Sequence, residues 1–311
     1  MRIVFFGSDD LAKECLEAIV RCAGHSVLAC VTQPDRPKGR ELQITSTAVK
    51  DFAIKNNIAV LQPLDLADQD FITKLRLLGA DLFVVIAYGR ILTAEVLALP
   101  RIFAVNLHAS LLPKYRGAAP INWALINGEV ETGLSVIKIS PKLDEGDIVA
   151  QQPIAIDIMD DAVILKEKMK SAGPRFLLDV LRDIEQGEFC LMKQNSLRVS
   201  LAPKLSKEIG RIDWKKDAIA IHDLVRGLIP WPGAYTYFED KALKILQTKI
   251  IAPEYPQGVP GEVLAVLKDG FVVRAGRGAL LVKKVHLESS RSMDAKSFVA
   301  GHKLSVGFRF S

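Results

Sequence analysis

Apolar runs of four to seven residues alternate with amphipathic stretches through the first half of the chain. Arg2–Phe6 reads as a strand ending at Gly7-Ser8-Asp9, where Ser8 or Asp9 can cap a helix over Leu11–Val20. Val27–Val31 is a second strand, and the irregular segment Gln33–Arg40 follows with two prolines, a glycine and three cations. A helix is expected over Ala48–Lys55, a short strand over Ile58–Leu61 and a helix near Asp70–Leu78. Asp81–Ala87 is nearly all apolar, the pattern of a strand buried on both faces; Tyr88-Gly89 ends it, and a short helix ends at Leu99-Pro100. A further apolar run, Ile102–Val105, leads into Asn106-Leu107-His108. This alternation predicts an α/β domain built on a doubly wound parallel sheet.

Beyond that point a helix is expected over Ala118–Ile126, stopped at Asn127-Gly128. Strands follow at Leu134–Ile139 and Ile148–Ile156, joined by a segment carrying Asp144, Glu145 and Asp147. A long helix covers Asp161–Gln186, with Phe176, Leu177, Val180, Leu181 and Ile184 on one face, and Gly173-Pro174 is expected to kink or break it. The last hundred residues change character. After a helix at Ala218–Arg226, short strands separated by Gly/Pro turns run over Ala234–Phe238, Ala242–Ile251, Gly261–Val266, Phe271–Arg274 and Ala279–Val285, which suggests a small OB-like β-barrel. The expected organisation is a first domain over 1–189, a linker over 190–209 and a second domain over 210–311.

Length and charge add to this picture. At 311 residues two domains are the first expectation. With 49% hydrophobic and 25% charged residues the composition is that of an ordinary soluble protein. No uncharged stretch approaches the ~20 residues of a membrane span, no signal-peptide pattern is present, and the four cysteines have no zinc or disulfide spacing, so a cytoplasmic location is expected. Residues 1–190 carry 21 Lys/Arg against 25 Asp/Glu, a net of −4, whereas residues 191–311 carry 20 against 11, a net of +9. An acidic first part joined to a basic second part suits a catalytic domain with an appendage that meets a polyanion. The glycine patterns of dinucleotide-binding sheets and P-loops are both absent.

The candidate chemistry centres on Asn106 and His108. Side chains two apart in a strand project to the same face, and the carboxyl ends of parallel strands are where such sheets place their sites. An imidazole that relays an amine proton, an amide N–H that stabilises an oxyanion, and a carboxylate from the Asp144/Glu145/Asp147 cluster make a set for acyl transfer to an amine. By chemistry alone the three carboxylates are hard to rank. No cysteine lies near these motifs and Ser110 has no G-x-S-x-G elbow, which favours direct transfer through a tetrahedral intermediate over an acyl-enzyme. One His and one carboxylate are a poor metal set, so no metal is expected.

These residues carry a resemblance. Asn106-Leu-His108-Ala-Ser-Leu-Leu-Pro113-Lys-Tyr-Arg-Gly-Ala-Ala-Pro120, then Glu131-Thr-Gly133 and Leu143-Asp144-Glu-Gly-Asp147, resemble the signature of the 10-formyltetrahydrofolate-dependent formyltransferases. Ala202-Pro and Pro230-Trp-Pro232 add support, and Lys204-Leu-Ser-Lys-Glu208 and Arg211-Ile-Asp-Trp214 favour the branch that formylates methionyl initiator tRNA. The resemblance implies a Rossmann-like first domain and an OB-like second domain that contacts tRNA. Asn106, His108 and Asp144 are implied as the catalytic trio. Ser110, Leu111, Leu112 and Pro113, with Tyr88, Gly89 and Ile91, are implied to hold 10-formyltetrahydrofolate. Arg36, Lys38 and Arg40 are implied to reach the acceptor end of the tRNA. In this last loop, where the family often continues Gly-Arg-Gly-Lys-Lys-Leu, this chain has Gly39-Arg-Glu-Leu-Gln-Ile44. Rival readings are formyl transfer to a nucleotide-linked amino sugar, hydrolysis of 10-formyltetrahydrofolate, and an inactive RNA-binding relative. A monomer meets every one of these expectations.

Overall fold

Why the chain forms a layered sheet follows from its buried strands. The computed structural model describes residues 1–38, 43–251 and 258–311. Its first half contains β1 (Arg2–Gly7), α1 (Asp10–Arg21), β2 (Ser26–Val31), β3 (Arg36–Lys38), β4 (Gln43–Thr45), α2 (Ala48–Lys55), β5 (Ala59–Leu61), α3 (Gln69–Leu78), β6 (Leu82–Ile86), α4 (Ala94–Leu97) and β7 (Phe103–His108). Then come β8 (Arg116–Gly117), α5 (Pro120–Ile126), β9 (Glu131–Lys138), β10 (Ile148–Ala155), α6 (Ala162–Gln186) and β11 (Leu201–Ala202). The last part holds α7 (Ala218–Gly227), β12 (Ala234–Phe238), β13 (Lys241–Ile251), β14 (Val263–Leu267), β15 (Gly270–Arg274), β16 (Ala279–Leu287), β17 (Met293–Asp294) and α8 (Ala295–His302). No helix among the described residues is long and apolar enough to cross a membrane.

The chain divides into two units: Met1–Pro120, Glu131–Ala155 and Lys166–Pro203 form the first, and Ile121–Val130, Ile156–Leu165 and Lys204–Ser311 the second. Residues 190–209, expected as a linker, are therefore shared between the two.

In the first unit one sheet has the strand order β10-β9-β7-β6-β1-β2-β5. Strands β1, β2, β5, β6 and β7 run parallel, and Ile3, Val4, Phe5 and Phe6 of β1 are fully buried. Burial on both faces is what makes β1 and β6 continuous apolar runs. One face packs Val4, Phe6, Phe83 and Val85 against Phe71, Ile72 and Leu75 of α3. Asp9 caps α1, its carboxylate accepting from Ala12 N, as the sequence implied.

Two expectations are corrected. The sheet is not wholly parallel: β9 pairs antiparallel with both β7 and β10. The connection from β7 to β9, residues 109–130, runs through β8 and the seven-residue helix α5. The second is that α6 runs through Pro174 as one helix of 25 residues. A helix-interior proline costs about 3 kcal/mol, but Met169, Leu177 and Leu181 are fully buried on either side of it, and each such side chain contributes about 1.5–3 kcal/mol. Gly173 lets this helix approach closely, since a Cβ there would lie 3.0 Å from Leu11 Cδ1.

The second unit is an antiparallel β domain. Its sheet has the order β12-β13-β16-β15-β14, with β17 also on β16. Phe238, Phe271, Phe298 and Phe310 form its aromatic centre together with Trp214. Helix α8 was not legible in the sequence: only eight residues long, with a glycine before its last residue, it has a weak apolar stripe and is held by Phe298 in this core.

Because Trp123, Trp214 and Trp231 all belong to the second unit, tryptophan fluorescence reports on its unfolding. Phe271→Ala is expected to lower that unit's stability by about 3–5 kcal/mol, read as a shifted denaturant midpoint.

Candidate active site

The last residues of β7 supply the first two groups. Leu107 points to one face and is buried, while Asn106 and His108 point to the other. Strand β9 runs antiparallel past this level and ends beside Ala104, with Ile139 N donating to Ala104 O at 2.8 Å. The loop 139–147 then doubles back and brings Asp144 over the two polar side chains. Asp144 Oδ2 lies 3.7 Å from His108 Nδ1 and accepts from Gly117 N at 2.9 Å. Asn106 Nδ2 donates to Asp144 Oδ1 over a long 3.5 Å. The His108 and Asp144 side chains are 7% and 8% exposed, so their fields act with little screening by water.

The proton arrangement on His108 follows from its other partner. Nε2 lies 2.9 Å from the Tyr115 carbonyl, which can only accept. Nε2 therefore carries a hydrogen, and in the neutral imidazole Nδ1 presents its lone pair toward the space beside Asp144. A neutral imidazole and a carboxylate face each other across that 3.7 Å gap as two acceptors, with room for one proton between them.

Of the three acidic residues, Asp144 alone has its carboxylate in this cluster; Glu145 pairs instead with Arg116 at 3.1 Å and Lys142 at 3.5 Å. Asp144 takes a left-handed backbone conformation with φ of 51°, and Gly146 follows two residues later. A Cβ at Gly146 would collide with the Lys138 carbonyl. The loop therefore needs that glycine.

The residues expected around the folate fall into two groups. Ser110 is fully buried and its hydroxyl donates to Lys114 O at 2.6 Å, so its side chain is spent on holding the turn. Ser135 holds this turn, donating to Ser110 O at 2.6 Å and accepting from Leu112 N at 3.0 Å; Gln151 Nε2 reaches both Ser135 Oγ and Leu112 O. Leu112 is buried, Leu111 and Pro113 are half-buried, and Leu111 sits where a Cβ on Gly133 would be. In the other group, the Tyr88 ring is buried against Phe6, and its carbonyl accepts from Gln33 Nε2 at 2.7 Å. Gly89 has φ of 78° and is exposed, as is Ile91 at 64%. This loop offers backbone groups and an apolar side chain.

Arg36 is exposed on the β3–β4 hairpin, Lys38 ends β3, and Arg40 lies outside the described residues. The hairpin's base is fixed by Asp35, bonded to Lys50 Nζ at 2.5 Å and Gln62 Nε2 at 2.9 Å; Lys50 first and Gln62 second hold its carboxyl below the usual range.

Sequence reasoning missed the residues that hold the loops. Gln194 Nε2 donates to Asp144 O at 2.7 Å and Gly146 O at 2.8 Å, while its Oε1 accepts from Arg116 Nε and Nη2. Ser200 accepts from Tyr115 N through its hydroxyl and from Arg116 N through its carbonyl, both at 2.9 Å. Nothing periodic marks these positions. Among the described residues no group of three or more His, Cys, Asp or Glu could hold a metal ion. Burial raises the Cys30 thiol to about 12 and the Cys15 thiol further, so neither is a ready nucleophile.

Both parts of the chain match known families. Residues 1–181 match the formyl transferase model, and 204–303 match the formyl transferase C-terminal domain. A methionyl-tRNA formyltransferase of Acetivibrio thermocellus is 43% identical over 307 residues, covering 99% of this chain and 98% of that protein. The chain belongs to the methionyl-tRNA formyltransferase family. Another member, from Clostridioides difficile, is 40% identical over 307 residues and 99% of both chains. Among solved structures, an N-formyltransferase of Helicobacter canadensis, in complex with folinic acid and dTDP-3-aminofucose, shares the fold. Its TM-score is 0.66 at 19% identity, over 94% of this chain and 99% of that one.

Gly146→Ala is expected to push the loop off the Lys138 carbonyl at a cost of about 1–3 kcal/mol, measurable as a lower melting temperature by calorimetry.

Proposed function

We propose that this chain transfers the formyl group of 10-formyltetrahydrofolate to the α-amino group of methionyl initiator tRNA. The observation that carries the reading is the meeting of Asn106, His108 and Asp144 in one partly buried cluster, in a chain 43% identical along nearly its whole length to a methionyl-tRNA formyltransferase. The donor supplies an electrophilic formyl carbon. Around it the chain's residues do three things. His108 Nδ1 takes the proton of the attacking amine. Asp144 then faces an imidazolium across the 3.7 Å gap and stabilises it. Asn106 has a second amide hydrogen free of Asp144, and it stabilises the formyl oxygen as that atom gains charge; one such donor is worth about 3–4 kcal/mol. Amine nitrogen and formyl carbon form the new bond, and the proton passes on to the departing folate nitrogen.

The residue roles beyond the trio follow the same reading. The exposed backbone at Gly89, the Ile91 side chain and the turn Ser110, Leu111, Leu112 and Pro113 form the folate contact, with Tyr88 taking part through its backbone. Arg36, Lys38 and Arg40 reach for the acceptor end, and the +9 charge of residues 191–311 supplies phosphate contacts along the tRNA. A monomer acting in the cytoplasm suffices for this work.

His108→Ala is expected to slow turnover by roughly 10²–10⁴-fold while the affinity for tRNA stays near that of the parent. Formylation of charged initiator tRNA, charged elongator tRNA and a nucleotide-linked amino sugar should show the first as the preferred acceptor. Raising salt should weaken tRNA binding with a linear dependence of log K on log salt. Transfer that persists in His108→Ala sinks the assignment, and preference for the amino sugar sinks the substrate.

A further inference from the structure

The segment 190–203 lies across the two loops that carry the proposed catalytic groups. Met192 bridges Ile148 at the start of β10, Gln194 reaches the Asp144 loop, Ser200 holds Tyr115 and Arg116, and β11 pairs with β8. Within it Gln194 is the one side chain that touches both loops. Its two N–H donors go to the carbonyls of Asp144 and Gly146, at 2.7 and 2.8 Å. Its oxygen takes Nε and Nη2 of Arg116 at 3.0 and 2.8 Å, one residue before the Gly117 N–H that binds the Asp144 carboxylate.

We infer that Gln194 is a positioning residue that fixes the Asp144 loop against the Tyr115–Gly117 segment, so that carboxylate and imidazole keep their register. The same segment receives His108 Nε2 at Tyr115 O, so one carboxamide sets both partners of the 3.7 Å gap. A glutamine is suited to this because it presents paired donors and a two-lone-pair acceptor at its tip. A carboxylate would keep Arg116 but repel the two carbonyls. The inference rests on the roles proposed above for Asp144 and His108.

Gln194→Met removes all four bonds, and Gln194→Glu keeps the Arg116 side while losing both donors. Each variant of the full chain is assayed with 10-formyltetrahydrofolate and methionyl initiator tRNA, beside Asp144→Asn. In both Gln194 variants kcat is expected to fall on the order of 10- to 100-fold, as for a misplacement of about 1 Å, with KM for either substrate within about twofold. Amide hydrogen exchange at Gly117 should quicken. A Gln194→Glu enzyme that turns over at the parental rate overturns the inference, even if its melting temperature drops, because that pattern marks a purely structural residue. Should Gln194→Met not fold, Gln194→Glu carries the test. Full activity in Asp144→Asn would instead overturn the proposed roles themselves, whereas a slow Asp144→Asn with an unaffected Gln194→Glu removes only the positioning role.

Discussion

One carboxylate constrains the first unit more than any other group. Asp144 must reach an imidazole on the end of a different strand, at a site where its side chain is only 8% exposed. A buried charge needs partners, and Asp144 has the Gly117 N–H at 2.9 Å and the Asn106 amide at 3.5 Å. Those contacts require the loop 139–147 to double back over β7. They require Asp144 itself in the left-handed region and a glycine at 146 where no Cβ fits. The antiparallel setting of β9 serves the same end, because it starts this loop beside Ala104 and two residues from Asn106.

The same constraint explains what the sequence disclosed. Asn106 and His108 were legible because strand periodicity puts residues two apart on one face, and the buried β1 and β6 because continuous apolar runs have few other uses. The acidic cluster was visible, but its ranking was not: Asp144 differs from Glu145 by where the backbone turns, and that turn depends on Lys138 and Gly146 packing together. Gln194, Ser135 and Ser200 were hidden for a related reason. Each is a polar residue in a polar or mixed stretch, and its partners lie 16 to 85 positions away. Pro174 misled because local propensity speaks for a break, whereas the buried residues on both sides of it decide otherwise.

The two units divide the proposed work along chemical lines. The first holds the groups that move a proton and stabilise an oxygen, on rigid strands and braced loops. The second is a small aromatic-cored β domain in the basic part of the chain. Phosphate contacts are non-directional and tolerate a surface that changes; proton transfer does not. The departure of Gly39–Ile44 from the family pattern falls in the loop proposed to reach the acceptor, while Asn106, His108 and Asp144, the proposed proton-transfer cluster, all match it.

The proposed reaction is direct transfer from donor to amine, with His108 as base and no covalent enzyme. A rapid-quench single turnover with 10-formyltetrahydrofolate labelled in the formyl carbon tests this most directly. The label is predicted to pass to methionyl initiator tRNA with none retained on the protein at any time point. Label bound covalently to the chain, or released as formate while charged tRNA is in excess, would contradict it.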